Sequence, residues 1–473
     1  MKTPVAARYI GWMVAASALS VTASNWPGWR GPDGTGVSSE KNLPLKWNTS
    51  ENVRWRIALP GPGNSSPIVW GNRVFITQAV PQENRRTVIC FDRANGKQLW
   101  QSGVTYTERE QTHQSNPYCA GSPVTDGALV YACFGSAGVY AYDFDGKEVW
   151  HRDLGKLNHM FGNSVSPVLH GEHCILNFGP DPKARLVALN NKTGEIVWEI
   201  EPPKPDASKM AQGGPGRFGG PDGRGGPGGR GGPGGPGGGR GGPGGGRGPG
   251  GPGGFGGPGG GGGVISGSWS TPVIISANGH EELIVNTSNR LAAYDPKTGK
   301  LLWLSKGMGD TIYTTPLWGE GALVAMSSSM AGATAIGLKP GGNGDVTESQ
   351  RLWLAERIKS SIGSGVIHDG YIYAIGQDGV ATCLDLKTGA KVWEERLQGP
   401  GNRSSSWSSL MLADGKIYIP NQSGDVFVLR ASPKFEVLAT NSVGESTNAS
   451  LAASDSALFM RTDKSLWCLA NAN

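Results

Sequence analysis

His170 and His173 stand three residues apart in the stretch HGEH, and two imidazoles at short spacing are a familiar beginning for a metal site. The same four positions align with WGNR (70–73), TDGA (125–128) and ADGK (413–416), each a short turn between two apolar runs. An exposed hairpin turn is therefore the better reading of HGEH. The chain has six cysteines but no CxxC, no CxxCH, no HExxH and no phosphate-binding GxxxxGK[ST]. No spaced pair of carboxylates can be assigned to acid–base work from the sequence.

A second set of chemically capable residues lies in short polar segments, each placed just before an apolar run. These segments are 61–66, 112–122, 159–166, 266–271, 310–315, 359–365, 402–409 and 444–450. His113, Asn116, Tyr118, His159, Asn163, Trp269, Tyr313, Lys359, Arg403 and Trp407 would make one ligand site if the segments converged. Trp269 and Trp407, each in an SW pair, offer flat faces to a sugar or quinone ring. The plainer reading is that the many Ser and Thr hydroxyls here satisfy backbone groups where strands crowd together.

What would make such segments converge is a repeat. Residues 295–303 read DPKTGKLLW and residues 385–393 read DLKTGAKVW; DRANGKQLW (92–100), NNKTGEIVW (190–198) and the shorter DFDGKEVW (143–150) are further copies. Each follows a short apolar run and ends on Trp, which reads as strand, tight turn, strand. The Asp or Asn accepts from turn amides, and Gly takes the left-handed residue. Upstream of each lies a second hairpin: SSPIVWGNRVFIT (65–77), GSPVTDGALVYAC (121–133), VSPVLHGEHCILN (165–177) and STPVIISANGHEELIVN (270–286). Four antiparallel strands in about 40–50 residues are one propeller blade.

Trp100, Trp150, Trp198, Trp303, Trp353 and Trp393 mark six fourth strands, and a seventh unit (408–438) keeps the spacing with Arg430 at the Asp position and Leu438 at the Trp position. The eighth unit (449–470) has three strands. Its missing Trp strand is supplied by Trp55 in residues 53–57. The sequence thus predicts an all-β, eight-bladed propeller whose N-terminal strand closes the ring and removes the open sheet edges.

Lys2 and Arg8 followed by the apolar stretch 9–21 read as a secretory signal ending near Ala23, too short for a membrane span. The domain reading is signal 1–23, leader 24–52 and propeller 53–473, interrupted by a Gly/Pro/Arg-rich insertion at 211–263. Of the formal charge of +5, two units sit at Lys2 and Arg8 and a net four in 211–263 (five Arg against Asp222), leaving −1 for the rest. A near-neutral propeller is no trap for nucleic-acid backbones. In an exported chain the cysteines need an account. Cys90, Cys383 and Cys468 take the slot held by Ala141, Ala188 and Ala293, as small buried residues. Folding the hairpin about residues 125–127 sets Cys119 opposite Cys133, a candidate cross-strand disulfide.

The phrase AxDxxTGxxxW, repeated across 53–473, resembles the repeat of the pyrroloquinoline quinone (PQQ)-like β-propeller superfamily. NWPGWRGPDGTGVS (25–38), HQSNPYCAGSPVTDG and DLGKLNHMFGN are similar to exported proteins common in planctomycete-type bacteria. Two branches of the resemblance imply different functions. Quinoprotein dehydrogenases would bring PQQ and Ca²⁺ and oxidise alcohols or sugars; their adjacent Cys pair and haem motif are absent here. The propeller subunit of the outer-membrane β-barrel assembly machine would bring protein binding without catalysis; its lipid-accepting Cys is absent. The expectation is an exported, monomeric, non-catalytic scaffold without cofactor, holding a protein or cell-envelope partner. Residues 78–86 and 338–350 are the loops to which a strand or peptide would add.

Overall fold

The computed structural model describes residues 24–180, 184–202, 267–328 and 333–472. The segments read as signal and insertion lie outside the described residues. Eight antiparallel sheets follow one another along the chain. Blade one runs outward through Ile68–Trp70, Arg73–Val80, Arg85–Asp92 and Gln98–Thr105. Blade eight is Ala452–Ser454, Ala457–Arg461 and Ser465–Ala470, with Val53–Ala58 as its fourth strand. Trp55 pairs with Cys468, so the N-terminal strand closes the ring as the repeat predicts.

The repeated phrase fastens each blade to the one before it. Asp295 accepts from the amides of Lys297 (2.7 Å) and Thr298 (3.2 Å), and Asp385 from those of Lys387 (3.1 Å) and Thr388 (2.8 Å). The turn Gly then lies beneath the Trp of the preceding blade. At Gly146, φ is +86° and a Cβ would sit 2.7 Å from Trp100 Cδ2, so only Gly fits. The indole nitrogens of Trp55, Trp100, Trp150 and Trp353 donate at 2.8 Å to carbonyls of the next blade's turn: Arg93, Phe144, Asn191 and Leu386. Trp198 and Trp393 make the same bond at 3.2 and 3.4 Å. Removing such a Trp would cost about 3–5 kcal/mol by burial alone.

Opposite each Trp stands a small residue: Cys90, Ala141, Ala188, Ala293, Gly337, Cys383 or Cys468. A bulge in the outer strand, at Leu99 in blade one, keeps this register and leaves the residue before the Trp facing out. It also roughens a sheet edge that would otherwise invite pairing.

Blade seven corrects one position. Val428 pairs with Ala439, so Ala439 rather than Leu438 stands where the Trp would be. The Arg430 amide closes its turn on Glu436, six residues on, whereas Asp92 closes on Lys97, five on. The turn is one residue longer and the register beyond it is unchanged.

Residues 338–350 do not hang free. Gly344–Asp345 pairs in parallel with the outer strand of blade four, Trp303 against Gly344 and Leu304 against Asp345. Because this long loop replaces the repeat turn, Trp303 donates instead to the buried Glu282 carboxylate at 3.0 Å. Residues 78–86 continue two paired strands through a short 3-10 turn, Pro81–Glu83.

Cys119 and Cys133 are both free thiols. Val124 pairs with Tyr131, which centres the hairpin further along than residues 125–127. Cys133 therefore packs in the layer shared with blade three, and Cys119 in the layer shared with blade one. Burial pushes both thiols up to about 12, as expected of packing residues.

The leader crosses the ring. Trp26 bridges Val69 in blade one, and Pro27 accepts from Thr125 in blade two. A Cβ on Gly34 would touch Val273 of blade four at 3.3 Å. Val37–Ser38 pairs with Met411–Ala413 in blade seven, and Glu40 takes amides of Asp455 and Ser456 in blade eight. A segment touching innermost strands on opposite sides must lie across the axis, here at the face of the inner-hairpin turns. Arg30 anchors it, donating to the carbonyls of Ser364 (3.2 Å) and Gly365 (2.5 Å) in blade six and to those of Gly34 and Thr35. Burial lowers that guanidinium to about 9, with no carboxylate beside it.

Candidate functional site

The polar segments that precede each innermost strand converge at the face opposite the leader, and most of their hydroxyls are consumed in closing the ring. Ser66 N–H donates to Ser122 Oγ (2.8 Å), Ser122 to Ser166 (3.0 Å) and Ser166 to Thr271 (3.2 Å). A second run starts at Thr315: the amides of Thr315, Ser364 and Ser409 donate to Ser364, Ser409 and Ser450, each at 2.9 Å, and that of Ser450 donates to Ser66 at 2.9 Å. The chain of bonds thus runs round the ring from Thr315 to Thr271, with the buried Thr315 hydroxyl itself unpartnered. Backbone amides that no strand could satisfy are thereby paired blade to blade. The plainer reading of these hydroxyls is the right one.

The larger side chains form a run of rings across blades two to five. His113 tilts against Phe161 at 5.2 Å; His159 meets Trp269 edge-on at 4.8 Å; Trp269 lies 5.2 Å from Tyr313. Local bonds fix each one. His113 Nδ1 pairs with Ser115 Oγ at 2.6 Å, and Asn116 Nδ2 donates to the Phe161 carbonyl at 2.6 Å. Trp269 Nε1 donates to Gly162 O at 2.9 Å, while its backbone N–H holds Ile312 O at 2.8 Å. Asn163 Nδ2 donates to Gly179 O. Burial, then Asp310, raises the Tyr313 hydroxyl above its ordinary value.

The long segment after Trp100 is pinned by a buried ion pair. Arg86 meets Glu110 at 2.6 Å, and its guanidinium lies between the rings of Tyr118 (4.3 Å) and Tyr106 (4.6 Å). Tyr118 donates to Glu110 O at 2.6 Å. Seven of the ten candidates thus belong to one surface or its support. Three do not join it. Lys359 pairs with Asp378 at 3.2 Å, Arg403 is exposed and tied through its backbone to Ser423, and the half-buried Trp407 packs with none of these rings. Phe161 and the exposed Met160, missed as candidates, complete the run; both lie in HMFGN, beside His159.

PQQ with Ca²⁺ would need converging oxygen ligands and an open ring face. Asp310 bonds its neighbour Thr311, and Glu445 is buried against Arg56, Ser465 and Trp467 in blade eight. Among the described residues no three His, Cys, Asp or Glu side chains gather as a metal requires. Trp269 is 6% exposed, with His159 against it and Tyr313 beside it. These residues do not fit the group.

Eight four-stranded blades, an N-terminal closing strand and a Trp-ended turn define a PQQ-like β-propeller. The chain belongs to the family described as outer membrane protein assembly factor BamB, whose model matches residues 32–159, 83–214 and 258–473. Among curated proteins none matches. Of solved structures, BamB from Moraxella catarrhalis is similar at 14% identity, over 88% of this chain and 96% of that one, with a TM-score of 0.53. Quinohemoprotein alcohol dehydrogenase from Comamonas testosteroni is similar at 11% identity, over 96% and 82%, with a TM-score of 0.58. The computationally designed Ika8 protein matches at 11% identity, over 88% and 99%, with a TM-score of 0.53. At such identities the likeness is one of fold.

Proposed function

We propose that this chain is an exported, monomeric binding scaffold of the cell envelope that holds a protein partner at the open mouth without doing chemistry on it. What carries the reading is how the mouth's groups are used. Its hydroxyls close the ring and its carboxylates are spent on neighbours, so aromatic rings and the thioether of Met160, 59% exposed, remain for contact. Aromatic and Met side chains suit a protein interface. Membership in a family described by an assembly factor supports the same reading. No described helix is long and apolar enough to cross a membrane.

A photo-crosslinking residue replacing Met160, in cells making the full chain, should give one discrete adduct. The same residue at Asp33, exposed on the leader at the other face, should give none. Equal labelling from both positions would remove the mouth as the contact surface. Saturable, Ca²⁺-dependent quenching of Trp fluorescence by micromolar PQQ would replace the scaffold with a quinoprotein oxidoreductase.

A further inference from the structure

Apart from the run of rings, a cleft opens between blades five and six with a volume of about 200 Å³. An apolar cavity of about 150 Å³ holds a benzene ring, so this one admits a group of aromatic side-chain size. Met326, Ala355, Ala374 and Leu384 line it with apolar surface. The Thr382 hydroxyl, also in the lining, is buried with no hydrogen-bond partner.

The charges around the cleft are not equivalent. Lys391 pairs with Glu394 at 3.4 Å, and Lys359 pairs with Asp378. Glu356 and Arg357, adjacent in sequence, both line the cleft, and neither has a side-chain partner among the described residues. Neighbours on a strand normally point to opposite faces. Here a bulge intervenes: Ala333 pairs with Ile358 and Thr334 with Glu356, so Arg357 is skipped. Its φ is +56°, a left-handed conformation unfavourable for any residue with a Cβ. Such strain and such bulges concentrate where a side chain must be re-aimed. The bulge thus leaves one anion and one cation, both without partners among the described residues, in the lining of a ring-sized apolar space.

We propose that this cleft binds a small zwitterion carrying one apolar group, the chemistry of a free apolar amino acid. Its carboxylate meets Arg357, its ammonium meets Glu356, and its side chain fills the space beside Ala374 and Leu384. Both charges are exposed, so affinity should be modest, with Kd on the order of 1 mM.

The test uses the full chain and ligand-observed NMR with L-phenylalanine, phenylpropionate, which lacks the ammonium, and phenethylamine, which lacks the carboxylate. Phenylalanine should saturate, with each singly charged analogue at least about fivefold weaker. Arg357→Gly relaxes the left-handed backbone while removing the guanidinium, so it should keep or raise the melting temperature and still lose phenylalanine binding at least about fivefold. Ala374→Leu should block the cavity. The site is overturned if phenylalanine shows no saturable signal up to about 20 mM. Equal binding of the analogues, or unchanged binding by Arg357→Gly, would overturn it as well.

Discussion

Asp463 shows how burial and charge act on one side chain at the mouth. It lies near Arg461 and Arg403, cations that lower its pKa, yet burial is the larger effect and Glu445 adds to it, so the carboxyl titrates above its ordinary value. A carboxyl whose folded pKa is raised binds protons more readily folded than unfolded. Its contribution to stability is therefore greatest below the unfolded value near 3.8 and is lost as pH rises through the folded value. Asp463→Asn should accordingly melt higher than the parent at pH 7. The gap should narrow as pH falls and close below the unfolded value near 3.8. A gap independent of pH would mean that Asn acts through packing instead. The opposite case is Arg461, fully buried and lowered to about 10, which works as a donor to Thr77 O (2.8 Å) and Gln78 Oε1 (2.6 Å), tying blade eight to blade one.

At the scale of the element, most neighbouring blades are joined twice, by Trp on turn at the outside and by hydroxyl on amide at the inside. The inner joint can be cut at one place. Ser364→Ala removes the acceptor of the buried Thr315 N–H and should cost about 1–3 kcal/mol in a urea titration, the penalty of an unpaired buried donor. Ser404→Ala, in the corresponding polar segment of the next blade but exposed, should cost nothing measurable. The outer joint was legible in the sequence because it is a local phrase: Asp, Gly and Trp stand within nine residues, and the strands, the blade count and the small slots at Cys90, Cys383 and Cys468 follow from aligning it. The inner joint was legible only as a bias toward Ser and Thr, since each bond spans some forty residues or more and its partner depends on ring closure. Sequence spacing points to Leu438 where Ala439 stands for a related reason, a turn lengthened by one residue with nothing local to announce it. The run of rings was partly visible. Lys359 and Arg403 share the segments but not the surface, because Asp378 and Ser423, 19 and 20 residues further along the chain, decide where they go.

At the scale of the whole molecule, closure is the property that every other feature depends on, and it is secured by parts far apart in sequence. Val53–Ala58 completes blade eight, and Arg56 reaches Glu445 while its guanidinium covers Trp467 at 4.7 Å. The leader adds a second closure, from Trp26 on blade one to Glu40 on blade eight by way of Arg30 on blade six. Among the described residues, blades three and four are complete without the Gly/Pro/Arg-rich segment. Ile196–Ile200 already completes blade three before it, and Val273–Ala277 begins blade four after it, each with its full set of partners. Lengthening a surface connection costs only the slow logarithm of loop closure, about 0.6 kcal/mol per doubling. Deleting residues 211–263 should therefore leave a single cooperative transition with its midpoint unchanged or slightly raised. Deleting residues 24–48 should lower the midpoint by many degrees, because Trp26, Arg30 and Trp47 would leave buried partners exposed. If loss of 211–263 instead abolished folding, the segment would have to supply contacts within the ring, and the count of eight self-sufficient blades would no longer explain the stability of the protein.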